Sequence, residues 1–225
     1  MVRLLSLSFL ALLIFILSGV AIRFAAADFY YERAKTAYSA TQLNELQRSE
    51  MFLPFLRDLE SALTWRSSHV DAIDLKADIF YQIWWLFPDA QYYEESSLLQ
   101  SSIKLHESGL LIRKNWSYSQ ARMALIFSHG RELGPEFDLW FKSTHKIALY
   151  EAGLARSMMT VGLANWPRLS RLQQQITVEF IVASIEQKSN SLSDLKAELT
   201  VHKKLGLVCE NTGHTERSSQ LCAPD

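Results

Sequence analysis

The sequence predicts an all-α chain: one N-terminal transmembrane helix, then a body of stacked helical hairpins. Three observations predict it. Leu4 to Ile22 is apolar except for Ser6, Ser8, Ser18 and Gly19, long enough to cross a bilayer as a helix. Beyond it, apolar residues recur every three or four positions, and the alternation of half-buried strands is missing. The 225 residues hold only five prolines and eight glycines, and a hydrophobic content of 48% supplies a core. The net charge of -1 lacks the basic face that nucleic acid demands, so no nucleic-acid partner is expected.

Residues 1–27 read as the membrane segment. Arg3 precedes the apolar run and Arg23 follows it. A secretory signal would have a shorter apolar core and an A-x-A site, which Ala25-Ala26-Ala27 supplies. The length of the run, and Arg23 standing between it and that site, favour an uncleaved single-pass anchor. Both readings put the body outside the cytoplasm, where two cysteines can pair.

Residues 28–206 read as the helical body. Phe29, Tyr30 and Tyr31 suit a membrane-interface belt, followed by a short polar helix. Pro54 marks the first turn of a helix carrying Phe52, Phe55, Leu59, Ala62 and Leu63. A corner at Trp65 to His69, capped by Ser68, opens a helix with Val70, Ile73, Ala77, Phe80, Tyr81 and Trp84 on one face. Phe87-Pro88-Asp89 stops it. The next helix, about 91–112, has Leu99, Ile103 and Leu110 as its core positions. The corner Arg113-Lys114-Asn115-Trp116-Ser117 then leads into a helix to Leu133, with small residues Ala121, Ala124 and Ser128 inviting close approach.

Gly134-Pro135-Glu136 ends one helix and begins another, striped by Phe137, Trp140, Phe141, Thr144 and Ala148 and closed by Gly153. A shorter helix from Leu154 to Ala164 stops at Trp166-Pro167. Leu169, Leu172, Ile176, Phe180 and Ala183 stripe the next. Ser191 or Ser193 caps a last helix that runs through Leu205 and ends at Gly206. Residues 207–225 read as a polar tail.

Arg66 and Arg113 mark similar corners, with a third near Tyr150 to Ala155. This is helix-turn-helix repetition at a spacing longer than a tetratricopeptide repeat, with the same stacking logic. The apolar span, Leu63-Thr64-Trp65-Arg66 with Asp71-Ala72, Arg113 to Tyr118, Gly153 to Trp166 and the paired C-terminal cysteines resemble the VpsP-like polysaccharide biosynthesis family. These are small membrane-anchored tetratricopeptide-like proteins of bacterial exopolysaccharide clusters. The resemblance spans nearly the whole chain and rests on structural motifs. It implies a bacterial inner-membrane protein with a periplasmic body, whose partners are proteins of a polysaccharide assembly or export complex.

Candidate chemistry is sparse. Asp71, Asp74 and Asp78 share a helix side near His69, an arrangement known from carboxylate-pair and metal sites. Acids near a helix start also offset its dipole, and that reading is preferred. His202, Cys209, His214 and Cys222 have zinc-ligand chemistry, but their irregular spacing lacks a tight C-x-x-C pair, so a Cys209–Cys222 disulfide is expected. No triad, phosphate loop or nucleotide fingerprint is present. The chain therefore reads as a non-enzyme without cofactor or metal, a scaffold whose interaction surface includes Arg113, Lys114, Asn115 and Trp116. The six tryptophans raise a second reading, a glycan-binding module stacking sugars on exposed rings. A glycan-processing enzyme using the three aspartates is the third.

Overall fold

The computed structural model describes residues 2–41, 48–87, 95–130, 132–187, 191–211 and 215–223. Among these the chain is helical and has no strand. It divides into two compact units, Met1–Lys114 and Asn115–Asp225.

Unit 1 begins with α1 (Val2–Ala40), one unbroken helix. The short separate helix expected after the span is α1 continued, because residues 23–40 contain neither proline nor glycine. Side chains from Phe9 to Ala25 are exposed all round. At Ala27 a stripe begins: Ala27 and Ala34 are buried, and Tyr31 and Tyr38 are half-buried at helical spacing between and beyond them. That stripe packs on α2 (Leu53–Trp65), with Pro54 in its first turn. Phe52, Leu59 and Ala62 are fully buried, as the sequence predicts, and each large apolar side chain contributes about 1.5–3 kcal/mol.

α3 (Val70–Leu86) packs against both α2 and α4 (Glu95–Ile112). It therefore buries two faces, adding Ala72, Ile79 and Ile83 to the expected Ile73, Ala77 and Tyr81. Its cap is His69 in place of the expected Ser68, with Nδ1 accepting from the Ala72 N–H at 3.4 Å. The start predicted at 91 and the stop at Pro88-Asp89 lie outside the described residues. In α4 the expected core positions Leu99, Ile103 and Leu110 are only half-buried. The row turned inward is Leu98, Ser102, His106 and Gly109. The Ser102 hydroxyl donates to Ala77 O at 2.8 Å, so a polar, small-residue seam joins α3 and α4.

Unit 2 comprises α5 (Ser117–Ser128), α6 (Pro135–Ala148), α7 (Ala152–Ala164), α8 (Arg171–Glu186), α9 (Leu192–Val201), α10 (Leu205–Asn211) and α11 (Glu216–Leu221). The small residues Ala121, Ala124 and Ser128 are buried on α5, which packs on α6 and α7. α5 stops at Ser128, short of the predicted Leu133. The Arg168 guanidinium there donates to the Ser128 and Gly130 carbonyls, taking over acceptors that a longer helix would use. The stripe Phe137, Phe141, Thr144 and Ala148 on α6 is fully buried, and Phe141 meets Phe180 of α8 edge-on at 5.6 Å.

Gly153 lies inside α7 and does not close α6, which ends at Ala148. α8 opens with a capping box between Ser170 and Gln173. Gln173 is drawn inward by that box and by its bond to Asp138 at 3.0 Å, so Leu172, expected in the core, is left exposed.

Ser191 caps α9, which ends at Val201 and does not continue to Leu205. Lys203 takes the left-handed conformation (φ 55°) and Lys204 N–H reaches back to Leu199 O at 2.8 Å, a stop that precedes Gly206. Gly206 lies within α10. The segment expected to be a tail thus holds α10 and α11, whose Val208 and Leu221 join the unit 2 core. Cys209 and Cys222 form a disulfide across them.

Candidate functional site

Within unit 1, a group of polar and aromatic contacts ties α1 to the corner between α2 and α3. Arg23 Nε donates to Trp65 O at 3.2 Å. The Arg66 guanidinium lies 4.4 Å from the Phe24 ring centre. His69 Nδ1 is an acceptor for the α3 cap, so its ring proton sits on Nε2, which donates to Asp28 Oδ1 at 3.0 Å. Tyr31 packs on the other side of that imidazole, 4.9 Å between ring centres. One turn further along α1, Arg33 pairs with Asp58 of α2. These contacts make α1 an integral helix of unit 1.

The three aspartates read from the sequence all lie on α3. Asp74 and Asp78 flank His106 of α4: Nδ1 donates to Asp74 Oδ1 at 3.1 Å, and Nε2 stands 3.7 Å from Asp78 Oδ1, beyond hydrogen-bond reach. His106 is fully buried. Asp71, like Asp74, lies near Tyr31 of α1. The sequence did carry a signal for His106, since it continues the spacing of Leu99 and Ile103 toward Leu110. The buried imidazole ties α4 to α3 through its bond to Asp74. Among the described residues, no three His, Cys, Asp or Glu side chains are placed to hold a metal.

The corner residues Arg113, Lys114 and Asn115 are exposed, and Trp116 is half-buried against Tyr118, 5.2 Å between ring centres. The division between the units falls inside this corner, after Lys114. The Gly109 to Leu133 hairpin read from the sequence therefore straddles two units. The helix pairs packed most extensively are α1 with α2, α3 with α4, α5 with α6 and α7 with α8.

Within unit 2, α5 and α7 leave an open groove lined by Tyr118, Arg122, Leu125, Arg156 and Thr160. Its polar rim is organised. Glu198 of α9 accepts from Thr160 Oγ1 at 2.6 Å and pairs with Arg156 at 3.0 Å. Tyr118 donates to Glu151, and this bond, then burial and the carboxylate's charge, hold its phenol above the usual range.

The cysteines are consumed by their disulfide, with 5.8 Å between Cα atoms. His202 is half-buried beside the end of α9, and His214 lies outside the described residues. Of the tryptophans, Trp84 and Trp140 are half-buried against the cores of their units, and Trp166 lies under the Lys204 ammonium at 4.4 Å. Trp65 and Trp85 are the exposed ones, Trp85 at 55%. No protein-family model, curated protein or solved structure gives a significant match to the chain.

Proposed function

We propose that the chain is a non-catalytic, membrane-tethered scaffold of bacterial exopolysaccharide assembly or export. In this reading α1 crosses the inner membrane once, the body lies in the periplasm, and its helix pairs act as tetratricopeptide-like hairpins that hold a partner protein. The observation that carries the tether is α1 itself. Its apolar part, long enough to cross a membrane, is wholly exposed, and its remainder is built into unit 1. Ala27, the last residue of the A-x-A sequence, is buried in that packing, and Arg23 and Phe24 before it contact the α2–α3 corner. Cleavage there would strip contacts from the body, which supports the uncleaved anchor.

The disulfide suits an oxidising compartment. The pathway is supported by the family resemblance, and a partner surface by the α5–α7 groove of unit 2. The test is affinity purification of the full chain from membranes in mild detergent. Co-purification of a polysaccharide-pathway protein is expected; a lone monomer of cleaved mass overturns the reading.

A second reading, glycan binding, has support from the exposed indole of Trp85 beside exposed Leu86. Tryptophan fluorescence that shifts with added oligosaccharide, and fails to shift in Trp85→Ala, would favour it over the scaffold.

A further inference from the structure

The helix register inside unit 1 gathers several exposed groups at one end. α1 and α2 run antiparallel, with Arg33 beside Asp58, Asp28 beside His69 and Arg23 beside Trp65. α3 and α4 also run antiparallel, with Ala77 opposite Ser102 and Asp74 opposite His106. Continuing that register about five residues brings Leu111 of α4 level with His69, the start of α3. One end of unit 1 is therefore built from Arg23 and Phe24, Trp65 and Arg66, and Leu111 to Lys114. It mixes large exposed apolar side chains (Leu111 is 81% exposed and Trp65 40%) with four cations, Arg23, Arg66, Arg113 and Lys114.

The direction of α1 says what this end faces. The helix is unbroken, so the stretch from Leu4 to Phe24 rises about 30 Å, the thickness of a hydrocarbon core, and ends at the level of Arg23. A bilayer around that stretch has its polar boundary where the α2–α3 corner and the end of α4 are held. Indole rings and arginines are the groups that favour such a boundary, and leucine beside basic residues is the pattern of interfacial binding. Asp28, a carboxylate at this level, accepts from His69.

We propose that this end of unit 1 is a second membrane contact: Trp65, Leu111 and Ile112 enter the headgroup layer, and Arg66, Arg113 and Lys114 meet phospholipid phosphates. This rests on the anchor reading of α1 and assigns the basic part of the α4–α5 corner to lipid. Unit 1 then stands flush on the bilayer, held both by its anchor and by its base.

The test uses the full chain in phosphatidylcholine vesicles containing a headgroup-quencher lipid. Environment-sensitive fluorophores are attached at Phe15→Cys, Leu111→Cys or Gln100→Cys; the native cysteines are bonded to each other and do not react. Phe15 lies in the apolar stretch of α1, and Gln100 is exposed nearer the far end of α4. Quenching at position 111 several-fold above that at position 100 is expected, and adding Arg113→Glu and Lys114→Glu lowers it toward the level at 100. Phe15 protected from an aqueous quencher, with 111 and 100 alike, overturns the lipid contact, leaves the anchor intact and gives this surface to a protein partner. Phe15 open to the aqueous quencher overturns the anchor reading and this proposal together.

Discussion

Gly162 of α7 lies against Thr177 of α8 so closely that a Cβ at position 162 would fall inside the Thr177 side chain. Thr177 is fully buried and its hydroxyl donates to Gln173 O at 2.8 Å, so it has little room to move. Gly162→Ala gains about 1 kcal/mol of helix propensity and loses roughly 1–3 kcal/mol to overpacking. The clash should win. A lower urea midpoint, partly restored by adding Thr177→Ala, is the expected outcome.

The His106–Asp74 bond should be structural. His106→Ala removes the buried imidazole bonded to Asp74 and should destabilise unit 1 by about 1–3 kcal/mol. Denaturant unfolding checks this. An unchanged midpoint accompanied by loss of function would instead mark the trio as a working site and revive the enzyme reading.

Reduction should release the end of the chain. The Cys209–Cys222 bridge spans a sequence separation of 13, worth about 3 kcal/mol by the loop-entropy estimate. With reductant, or in Cys209→Ser/Cys222→Ser, α10 and α11 should become protease-sensitive while Phe137, Phe141 and Phe180 stay protected. Hydrogen exchange resolves the two regions.

Tyr118 gives a pH dependence of definite sign. Its phenol is raised in the fold, first by donating to Glu151. The folded state therefore holds the proton more tightly than the unfolded chain. The resulting stabilisation is complete below the ordinary phenol value of about 10 and is lost as pH rises from there through the folded value. Tyr118→Phe should be less stable than the parent at neutral pH, and the gap should narrow in alkali. Parallel urea titrations of the two proteins would show it.

Much of this fold was legible because short-range chemistry set it. Pro54, the Gly134-Pro135 junction and Ser191 mark helix starts through backbone constraints or a capping hydroxyl that operate over four residues. The stripe on α6 was readable because its neighbours cover a single face. What was hidden depends on distant partners. α3 buries two faces because α2 and α4 both pack on it. Arg168 shortens α5 from 40 residues away. Lys203 ends α9 where a glycine-based reading looks to Gly206. In the candidate site, His106 matched an apolar spacing yet is polar, so a hydrophobicity count passes over it. The exposed end of unit 1 appears only once the antiparallel registers are known.

An unbroken α1 also has a mechanical meaning. Hydrophobic helices answer a change in bilayer thickness by changing their tilt. On the anchored reading no hinge lies between the apolar stretch of α1 and its packing on α2, so α1 works as a rigid lever. A few degrees of tilt are passed directly to unit 1, so a change in membrane thickness strains the contact between its base and the bilayer.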